Sequence, residues 1–396
     1  MRVLTCAVCL VALLGSAPWA RAENNQPLFD FAFSGYVQAR LLGRFFQIQA
    51  PDGPLNTYPE PALAGGGKQN TISLERLEFK LSTPLPWLRW STTASASVLG
   101  TKAVIKDAYV QYQQNAVTRW TAGRFRVPFG QELQRSSAEL DTVERPLLYG
   151  FGNYGWVGPL GLDAVGERDW GAKLDFVWPT AWSNFSPFLT TALVLGNGRL
   201  VETSAPTLGM VRAGLNNRLD IDELRHELVA GLSLAYGQVR CEERREQYLP
   251  VGLAGNLLTN PQDAVATEAL GQRATVATVG ADLRLRVNEL VLTGEWLRRR
   301  LQAFVSEGYV ATAVLELSAW DWDGWEAVAR WEEIRTGFAD GSHDPHRPYQ
   351  AATLGCNWKA WPDVRVQFNY VTIYMEGIPH RFPGSDLLLV QVQYQF

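Results

Sequence analysis

The clearest hydrophobic pattern in the chain lies in its last segment, Asp386–Phe396. Its alternate residues form one apolar set and one set made mostly of amides: Leu388, Val390, Val392, Tyr394 and Phe396 against Leu389, Gln391, Gln393 and Gln395. Successive side chains of a β-strand point to opposite faces, so this segment is predicted to be a strand with two unlike faces. In a soluble sandwich the apolar face would be buried, whereas in a membrane barrel it would face lipid while the glutamines face water.

Similar alternation recurs along the chain, without a convincing amphipathic helix. In the fifth strand, Arg119–Arg126, it is ambiguous which side chains face which side around Gly123, where the strand could have a bulge. The predicted strands number sixteen: Phe33–Leu41, Thr71–Ser82, Leu88–Val98, Ile105–Gln113, Arg119–Arg126, Asp169–Val177, Phe185–Leu195, Leu208–Leu215, Leu228–Val239, Thr275–Val287, Leu290–Arg300, Tyr309–Trp320, Trp325–Ile334, Gln350–Trp361, Val364–Tyr374 and Asp386–Phe396.

The connections between these strands differ in length in an ordered way. If both ends of the strand set lie on one side, the connections on that side are nearly all tight turns, and the other side carries almost all the length. The third connection on the long side, Pro128–Arg168, is too long for an ordinary link. An even strand count with short turns on one side is typical of outer-membrane barrels, and not of sandwiches or propellers. The sequence therefore predicts an all-β, transmembrane antiparallel β-barrel.

The first residues have the pattern of a secretory signal peptide. Arg2 supplies the positive region, Val3–Leu14 the apolar region, and Ala20–Ala22 a cleavage site of the A-x-A type. We expect cleavage of residues 1–22, export of the remainder, and a single barrel domain over 23–396.

Composition narrows the class further. The chain has 36 Lys+Arg and 40 Asp+Glu, and removal of Arg2 and Arg21 leaves 34 − 40 = −6. A negative chain lacks the concentrated basic face of a nucleic-acid binder. After cleavage only Cys241 and Cys356 remain, so one bridge is conceivable but no disulfide framework is indicated. No mature apolar run approaches the ~18 residues of a transmembrane helix.

Tryptophan is unusually common, with 15 copies, and many of them lie at the ends of predicted strands. The interfacial girdles of a membrane barrel place aromatic residues there. The alternative is that they pack in the core of a soluble β protein. The residues concerned are Trp87, Trp178, Trp320, Trp325, Trp358 and Trp361.

Several short motifs occur in a fixed order over most of the mature chain: Asp107–Tyr112, Ala122–Gly130, Ser136–Ser137, Glu144–Arg145, Gly280–Leu283, Gly294–Trp296, Trp325–Arg330, Gly355–Trp358 and Asn369–Val371. In this order they resemble the phosphate-selective porin O and P family. The resemblance implies a sixteen-stranded barrel, usually a homotrimer, with the third external loop folded into the lumen. The terminal Phe396 likewise resembles the signal by which bacterial outer-membrane barrels reach their assembly machinery.

Diffusion through a porin needs no catalytic group and no cofactor, only a lumen and a pattern of fixed charge. Arginine or lysine facing lipid near the midplane costs ~2–4 kcal/mol, so charged residues should point inward. An Arg/Lys track would suit phosphate, but the inward charges could instead pair and neutralise one another. The pore-lining candidates are the cations Arg40, Arg76, Lys80, Arg89, Lys173, Arg284, Arg286, Arg330 and Arg365, with the acids Glu78, Asp107, Asp175, Asp282, Glu295, Glu326 and Glu332.

The long third loop offers both signs of charge at the expected constriction. Its candidate residues are Arg135 and Arg145 with Glu132, Glu139, Asp141 and Glu144. An excess of acids there would favour cations or neutral solutes, in conflict with the phosphate label.

Enzymatic and metal-binding readings find little support. The pair in His343-Asp344-Pro345-His346 could suggest a metal site, but a Pro-containing loop of this kind is more often a solvated turn. No G-x-S-x-G or H-E-x-x-H motif occurs where it would be needed. We therefore expect an outer-membrane porin that passes small hydrophilic solutes or ions, and no enzyme. The alternative is a soluble or surface-attached periplasmic β-sheet protein that binds a ligand.

Overall fold

The computed structural model describes most of the predicted strands and part of the long third loop. Outside the described residues lie the expected signal peptide, Trp87, Cys241 and the histidines at 343, 346 and 380. The described ranges are 32–44, 70–85, 89–99, 102–149, 168–178, 185–196, 208–221, 224–240, 273–301, 304–338, 349–375 and 386–396.

Sixteen β-strands are present, as the alternation predicted. They are β1 (Ala32–Arg44), β2 (Asn70–Leu85), β3 (Trp90–Leu99), β4 (Lys102–Gln113), β5 (Thr118–Arg126), β6 (Arg168–Val177), β7 (Phe185–Val194), β8 (Leu208–Ile221), β9 (Leu224–Arg240), β10 (Arg273–Val287), β11 (Leu290–Leu301), β12 (Phe304–Glu316), β13 (Trp325–Phe338), β14 (Tyr349–Trp361), β15 (Val364–Met375) and β16 (Asp386–Gln395).

Each strand pairs antiparallel with its sequence neighbours, and β1 pairs with β16 to close the ring. The closing pair runs in unbroken register from Tyr36↔Gln395 to Arg44↔Leu387. A closed ring leaves no unpaired strand edge, which is what a sheet surrounded by lipid requires. The predicted all-β closed barrel is therefore confirmed.

One rim of the barrel carries only tight connections. We call it the short-turn rim; it holds residues 86–89, 114–117, 178–184, 222–223, 288–289, 317–324 and 362–363. At the β10–β11 turn, Asn288 adopts φ = 52°, a left-handed conformation that Asn tolerates better than most residues. The opposite, long-loop rim carries the long connections and two tight ones, at 100–101 and 302–303.

Three sequence expectations need correction. The strand predicted at Tyr309–Trp320 is β12, which begins at Phe304 and ends at Glu316; Ser318–Trp320 form a 3-10 turn. The weak segment predicted at Leu208–Leu215 extends to Ile221, so its link to β9 is tight. Arg89 precedes β3 and lies in a turn with φ = 56°, because β3 begins only at Trp90.

The predicted irregularity at Gly123 takes a different form. The pairing of β5 with β4 and with β6 keeps its register there, although Gly123 has φ = 126°. Register instead shifts opposite Ser95/Ala96 in the β3–β4 pair and at Gln38/Ala39 in the β1–β2 pair. A bulge places two neighbouring residues of β4, Lys106 and Asp107, on the same inward side, which strict alternation cannot do.

Tryptophans ring the short-turn rim, as the girdle interpretation expected. Trp320 and Trp361 are 60% and 65% exposed. Trp325 and Trp358, on paired strands, stack with their ring centroids 5.5 Å apart. Such rings suit a membrane interface, where one side is apolar and the other wet. No helix in the described part of the chain is long and apolar enough to cross a bilayer.

Candidate functional site: the barrel interior

Over much of the barrel wall, large apolar side chains lie outside and polar side chains lie inside. In β9, Leu232 and Leu234 are 65% and 57% exposed, while Ser233 between them is 0% exposed. In β16, Gln391 and Gln393 are buried, and Val392 and Tyr394 are exposed. This is the reverse of a soluble β protein, which would bury its leucines. The interior is therefore the place to look for function.

A segment of the long connection after β5 lies inside the ring. We call residues 127–149 the inner segment. Its atoms contact inward side chains of β1 and of β13 to β16, and on the other side those of β8, β9 and β11. A segment that touches strands on several sides of a closed ring must run through its interior. Residues 150–167, which complete the connection, lie outside the described residues.

One side of the inner segment is held by a wall of amides. Gln367, Asn357 and Gln393 donate to the main-chain oxygens of residues 140, 141 and 138, at 3.1, 2.9 and 3.2 Å. Gln38 reaches the oxygen of residue 137 at 3.3 Å. The strands thus satisfy backbone oxygens that the irregular segment cannot pair by itself.

The amides also bond to one another across the strands. Gln391 donates to Gln367 at 3.1 Å, and Gln367 donates to Asn357 at 3.2 Å. Gln38 donates to Gln393 at 2.8 Å, which ties β1 to β16 on the inner face. We call these five side chains the amide ladder: Gln38, Gln393, Gln391, Gln367 and Asn357.

The other side of the inner segment is apolar. It packs on small and aliphatic inward residues of β7 to β13, in a cluster of Phe125, Val127, Phe129, Leu133, Leu148, Tyr149, Ala192, Val194, Leu208, Met210, Ala235, Val276, Leu297, Val310 and Ile334. Two glycines make room for it: a Cβ on Gly280 would stand 3.1 Å from the Phe129 ring, and one on Gly308 would stand 2.8 Å from Leu148 Cδ1. The segment is therefore fixed by burial as well as by hydrogen bonds.

A buried carboxylate anchors the start of the inner segment. Glu295 on β11 accepts from the main-chain N–H groups of Gln131 and Glu132 at 2.6 and 2.5 Å, and from the hydroxyl of Tyr149. Beside it, Arg212 donates to the oxygen of Gly130 at 2.9 Å and pairs with Asp282 at 2.6 Å. Two charged side chains of the wall, Glu295 and Arg212, therefore hold the inner segment in place.

Within the inner segment, the predicted constriction arginines bond to the segment itself. Arg135 makes a two-pronged ion pair with Asp141, at 2.6 and 2.9 Å. Burial acts to raise the pKa of the Asp141 carboxyl, but the hydrogen bonds and charge of Arg135 outweigh it and hold that pKa below its usual 3.8. Arg145 donates to the main-chain oxygens of Glu132 and Arg135. Both cations act as internal ties of the segment.

The three remaining constriction candidates are acids, and only one of them forms an ion pair with the barrel wall. Glu144 pairs with Arg40 of β1. Glu139 is exposed, and its carboxylate accepts from the N–H of Ser136 at 3.2 Å. Glu132 lies 3.5 Å from Arg135.

Most predicted pore-lining cations have a partner in the structure. Arg330 bonds to Thr142 and to the oxygen of Glu144, and Arg365 bonds to the oxygen of Leu140 and to Glu326. These two arginines, like Arg40, hold the inner segment to the wall. Nearer the short-turn rim, the ion pairs are Arg284–Glu227 at 3.5 Å and Arg286–Glu316 at 2.6 Å.

The other candidates are placed differently. Lys80 is exposed on β2. Arg76 stands opposite Gln38 in the β1–β2 register, and its side chain lies outside the described residues. Arg89, predicted to face the lumen, is exposed in its turn and donates to the oxygen of Gln114 at 2.9 Å. The turn removes Arg89 from the alternation of β3 on which its inward placement was predicted.

Several ion pairs inside the barrel join acids to cations on other strands. Glu78 pairs with Lys106, and Asp282 pairs with Arg212. Lys173 lies 3.4 Å from Asp175, which Arg119 also contacts at 3.1 Å. Asp107 pairs with Arg168 at 2.7 Å, Glu326 with Arg365 and Lys359, and Glu332 with Arg330. Alternation gives the face of a residue, but not its neighbour across strands or loops.

Sequence reasoning missed several residues that position the inner segment. Arg212, Tyr149 and the asparagines Asn357 and Asn369 were not named as site candidates, although Asn369 accepts from the N–H of Val143 at 2.6 Å. A usable signal was present, since polar residues at inward positions of otherwise apolar strands require partners. No group of side chains suited to a metal ion occurs in the described ranges, and Cys356 carries a free thiol.

Comparisons with known proteins give a fold and no family. No family model matches the chain, and no curated protein matches it. Among solved structures, the outer membrane channel DcaP of Acinetobacter baumannii aligns with a TM-score of 0.55 at 10% identity, over 94% of this chain and 99% of that one. The trimer form of OmpT, an outer membrane protein of Vibrio cholerae, aligns at 0.54 and 9% identity, over 93% and 99%.

An anion-selective porin from Comamonas acidovorans aligns with a TM-score of 0.53 at 12% identity, over 93% of this chain and all 100% of that one. At identities this low, the structural similarity establishes a shared fold alone, the closed sixteen-strand barrel. The resemblance to the phosphate-selective porin O and P family therefore stays a prediction that depends on its short motifs.

Proposed function

We propose that the protein is a porin of the bacterial outer membrane, through which small hydrophilic solutes or ions diffuse passively. The observation that carries this proposal is the inverted wall: exposed leucines such as Leu232, Leu234 and Leu354 outside, and amides and ion pairs inside a closed ring. Lipid can solvate the first set, and only water or the inner segment can satisfy the second. The likeness to solved outer-membrane channels supports the same function.

Because the inner segment occupies part of the lumen, we infer a narrowed channel and not a wide one. It is fixed to the wall by the amide ladder, by Glu295 and by Arg40, Arg330 and Arg365. A rigid constriction selects solutes by size and by the charge of whatever remains exposed. We propose that residues 127–149 form this constriction, and that the long-loop rim faces outward from the cell.

Anion preference is the finer part of the proposal. On the inner wall of β2 and β5, the exposed charged ends are cationic: Lys80 is exposed and the Arg119 side chain is 44% exposed, whereas Asp175, which Arg119 contacts, is 8% exposed. Arginine and lysine at such positions favour phosphate and other anions. The exposed acid Glu139 works against this preference, so we expect it to be modest.

Three partners complete the proposal: outer-membrane lipid, two further copies of the chain in a homotrimer, and the barrel assembly machinery, which would recognise Phe396. The runner-up, a soluble periplasmic ligand-binding protein, would have to keep Leu232, Leu234 and Leu354 in water. A barrel enzyme would need a nucleophile or acid–base pair in the lumen, where most of the described charges are in ion pairs or hold the inner segment.

Four measurements test the proposal. Unboiled protein in a detergent gel should migrate faster than boiled protein and should fractionate with outer membranes; a soluble fraction without heat-modifiable migration would contradict it. Reversal potentials in asymmetric chloride salt should show chloride preference, and cation preference would overturn the finer claim while leaving the porin claim standing. Cross-linking to a species three times the monomer mass would support the trimer.

A further inference from the structure

The outer wall of β5 to β11 contains an apolar groove that the channel does not use. The groove has a volume of about 970 Å³ and is lined almost entirely by outward side chains and by the backbone between them. We propose that it binds a lipid whose phosphate headgroup carries negative charge, with the acyl chains along the groove and the phosphate at two arginines. The proposal rests on the proposed membrane location, and not on conduction.

The groove arises from the register of small and large residues around the wall. One row of directly paired outward positions runs Arg300, Ala277, Tyr236, Gly209, Leu193 and Ala172. Large and small side chains alternate along this row, so its small members form the floor and the large ones the walls. Tyr236 and Leu193 stand well clear of the wall, at 70% and 59% exposed.

The floor has space left to fill. A Cβ on Gly209 would meet only Leu193 Cδ2 at 3.6 Å and the oxygen of Tyr236 at 3.8 Å. These are ordinary van der Waals distances, so a Cβ fits at this position without displacing its neighbours. Acyl chains gain free energy wherever they cover such apolar surface in place of water or a poorly fitting neighbour.

The groove has direction. Strands of membrane barrels tilt by roughly 35–45°, so a row of paired residues runs obliquely across the bilayer. At one end is Trp120, near the start of β5 at the short-turn rim; at the other are Arg298 and Arg300, near the end of β11 at the long-loop rim. An oblique apolar groove that ends under cations has the shape of an acyl chain attached to an anionic headgroup.

Charge selects the occupant. Arg298 and Arg300 are both exposed on the outward face, where planar guanidinium groups match phosphate oxygens well. Glu307, 4.0 Å from Arg298 and 46% exposed, is a loose neighbour that leaves the guanidinium accessible. If two copies of this chain met symmetrically at this groove, each would have to supply acidic groups to the arginines of the other. The residues that line the groove include no acid.

The test measures lipid binding by the full chain in a neutral detergent, by native mass spectrometry and titration. The probes are phosphatidylglycerol and phosphatidylcholine with identical acyl chains, and inorganic phosphate. We expect tighter binding of phosphatidylglycerol, and no competition from inorganic phosphate. The R298Q/R300Q double variant should lose about tenfold or more of its phosphatidylglycerol affinity, the loss expected for a charge-assisted hydrogen bond.

Filling the floor with G209L should weaken both lipids. Two matched controls should bind like the wild type: R335Q, which removes an outward arginine of β13, and G294L, which adds the same side chain at an outward glycine whose Cβ would meet only the oxygen of Val310 at 3.9 Å. Heat-modifiable migration verifies that each variant is folded.

Three results would overturn the proposal. They are equal phosphatidylglycerol binding by folded R298Q/R300Q, competition by inorganic phosphate at concentrations similar to the lipid, and a G209L variant that changes oligomer mass but not lipid binding. The last result would assign the groove to a contact between copies. None of these outcomes depends on whether the barrel conducts ions, so failure here is separate from failure of the porin proposal.

Discussion

Tyr149, at the end of the described inner segment, donates its hydroxyl to the buried carboxylate of Glu295 on β11. The same carboxylate accepts from two main-chain N–H groups at the beginning of the segment. One wall residue therefore holds both ends of the inner segment. Its removal is the most direct way to free the constriction without changing the barrel.

We expect Glu295→Ala to widen the channel. The variant loses three hydrogen bonds to a buried acceptor, and leaving their donors unpaired costs about 1–3 kcal/mol each, so the segment should leave the wall for part of the time. Single-channel recordings should show larger or noisier conductance. The control is Glu316→Ala, which breaks the Arg286 pair beyond the segment; equal conductance changes in both variants would contradict the anchoring role.

The outward face should tolerate charge only near the rims. Leu354 and Trp361 are on the same strand and are 62% and 65% exposed, but Leu354 lies toward mid-wall and Trp361 at the short-turn rim. Arginine costs ~2–4 kcal/mol at the bilayer midplane and ~0–1 near an interface. Leu354→Arg should therefore lower the unfolding free energy in lipid vesicles by about that larger amount.

Trp361→Arg is the depth control for that measurement, and it should have a small effect. Equal losses from the two substitutions in lipid vesicles would mean that depth in a bilayer does not govern the stability of this face.

Acid should act on the inner segment through Asp141. Because its folded-state pKa lies below 3.8, the ion pair with Arg135 stabilises the segment fully above about pH 4, and this contribution is lost as pH falls through the depressed pKa. Conductance should hold steady from neutral pH to about pH 4 and change below it. Asp141→Asn should remove that part of the acid transition, whereas Asp363→Asn in the β14–β15 turn should not.

Selectivity should respond to Lys80. Lys80→Glu replaces an exposed cation on β2 with an acid, so the reversal potential should move toward cations. Arg89→Glu is a useful comparison, because Arg89 lies in its turn at the short-turn rim and should shift the potential less. A reversal potential that is unchanged in Lys80→Glu would mean that ions pass elsewhere in the lumen.

The fold was accessible from sequence because alternation is a local signal. The two faces of β16 can be written down from Gln391, Gln393 and their neighbours, and the strand count follows from repetition. Errors occurred where alternation stops: Arg89 sits in a turn, and a bulge turns Lys106 inward beside Asp107. The end of β12 was misplaced because Ser318–Trp320 continues the apolar pattern while its backbone turns.

The interior was less accessible, since its contacts join residues far apart in the chain. Asn357 meets the oxygen of Asp141, and Tyr149 meets Glu295; neither pair has a spacing that a sequence pattern could show. The outward groove has the same origin, because Gly209 and Arg300 come to line one groove only through the register of four strands.

The central claim is that the polar interior encloses a path for water and ions. Purified, folded protein added to a planar lipid bilayer tests it most directly. The account predicts discrete, stepwise increases in current, with a step size that grows in the Glu295→Ala variant. Protein that is heat-modifiable and inserts into the bilayer, yet produces no current steps in either form, would contradict it.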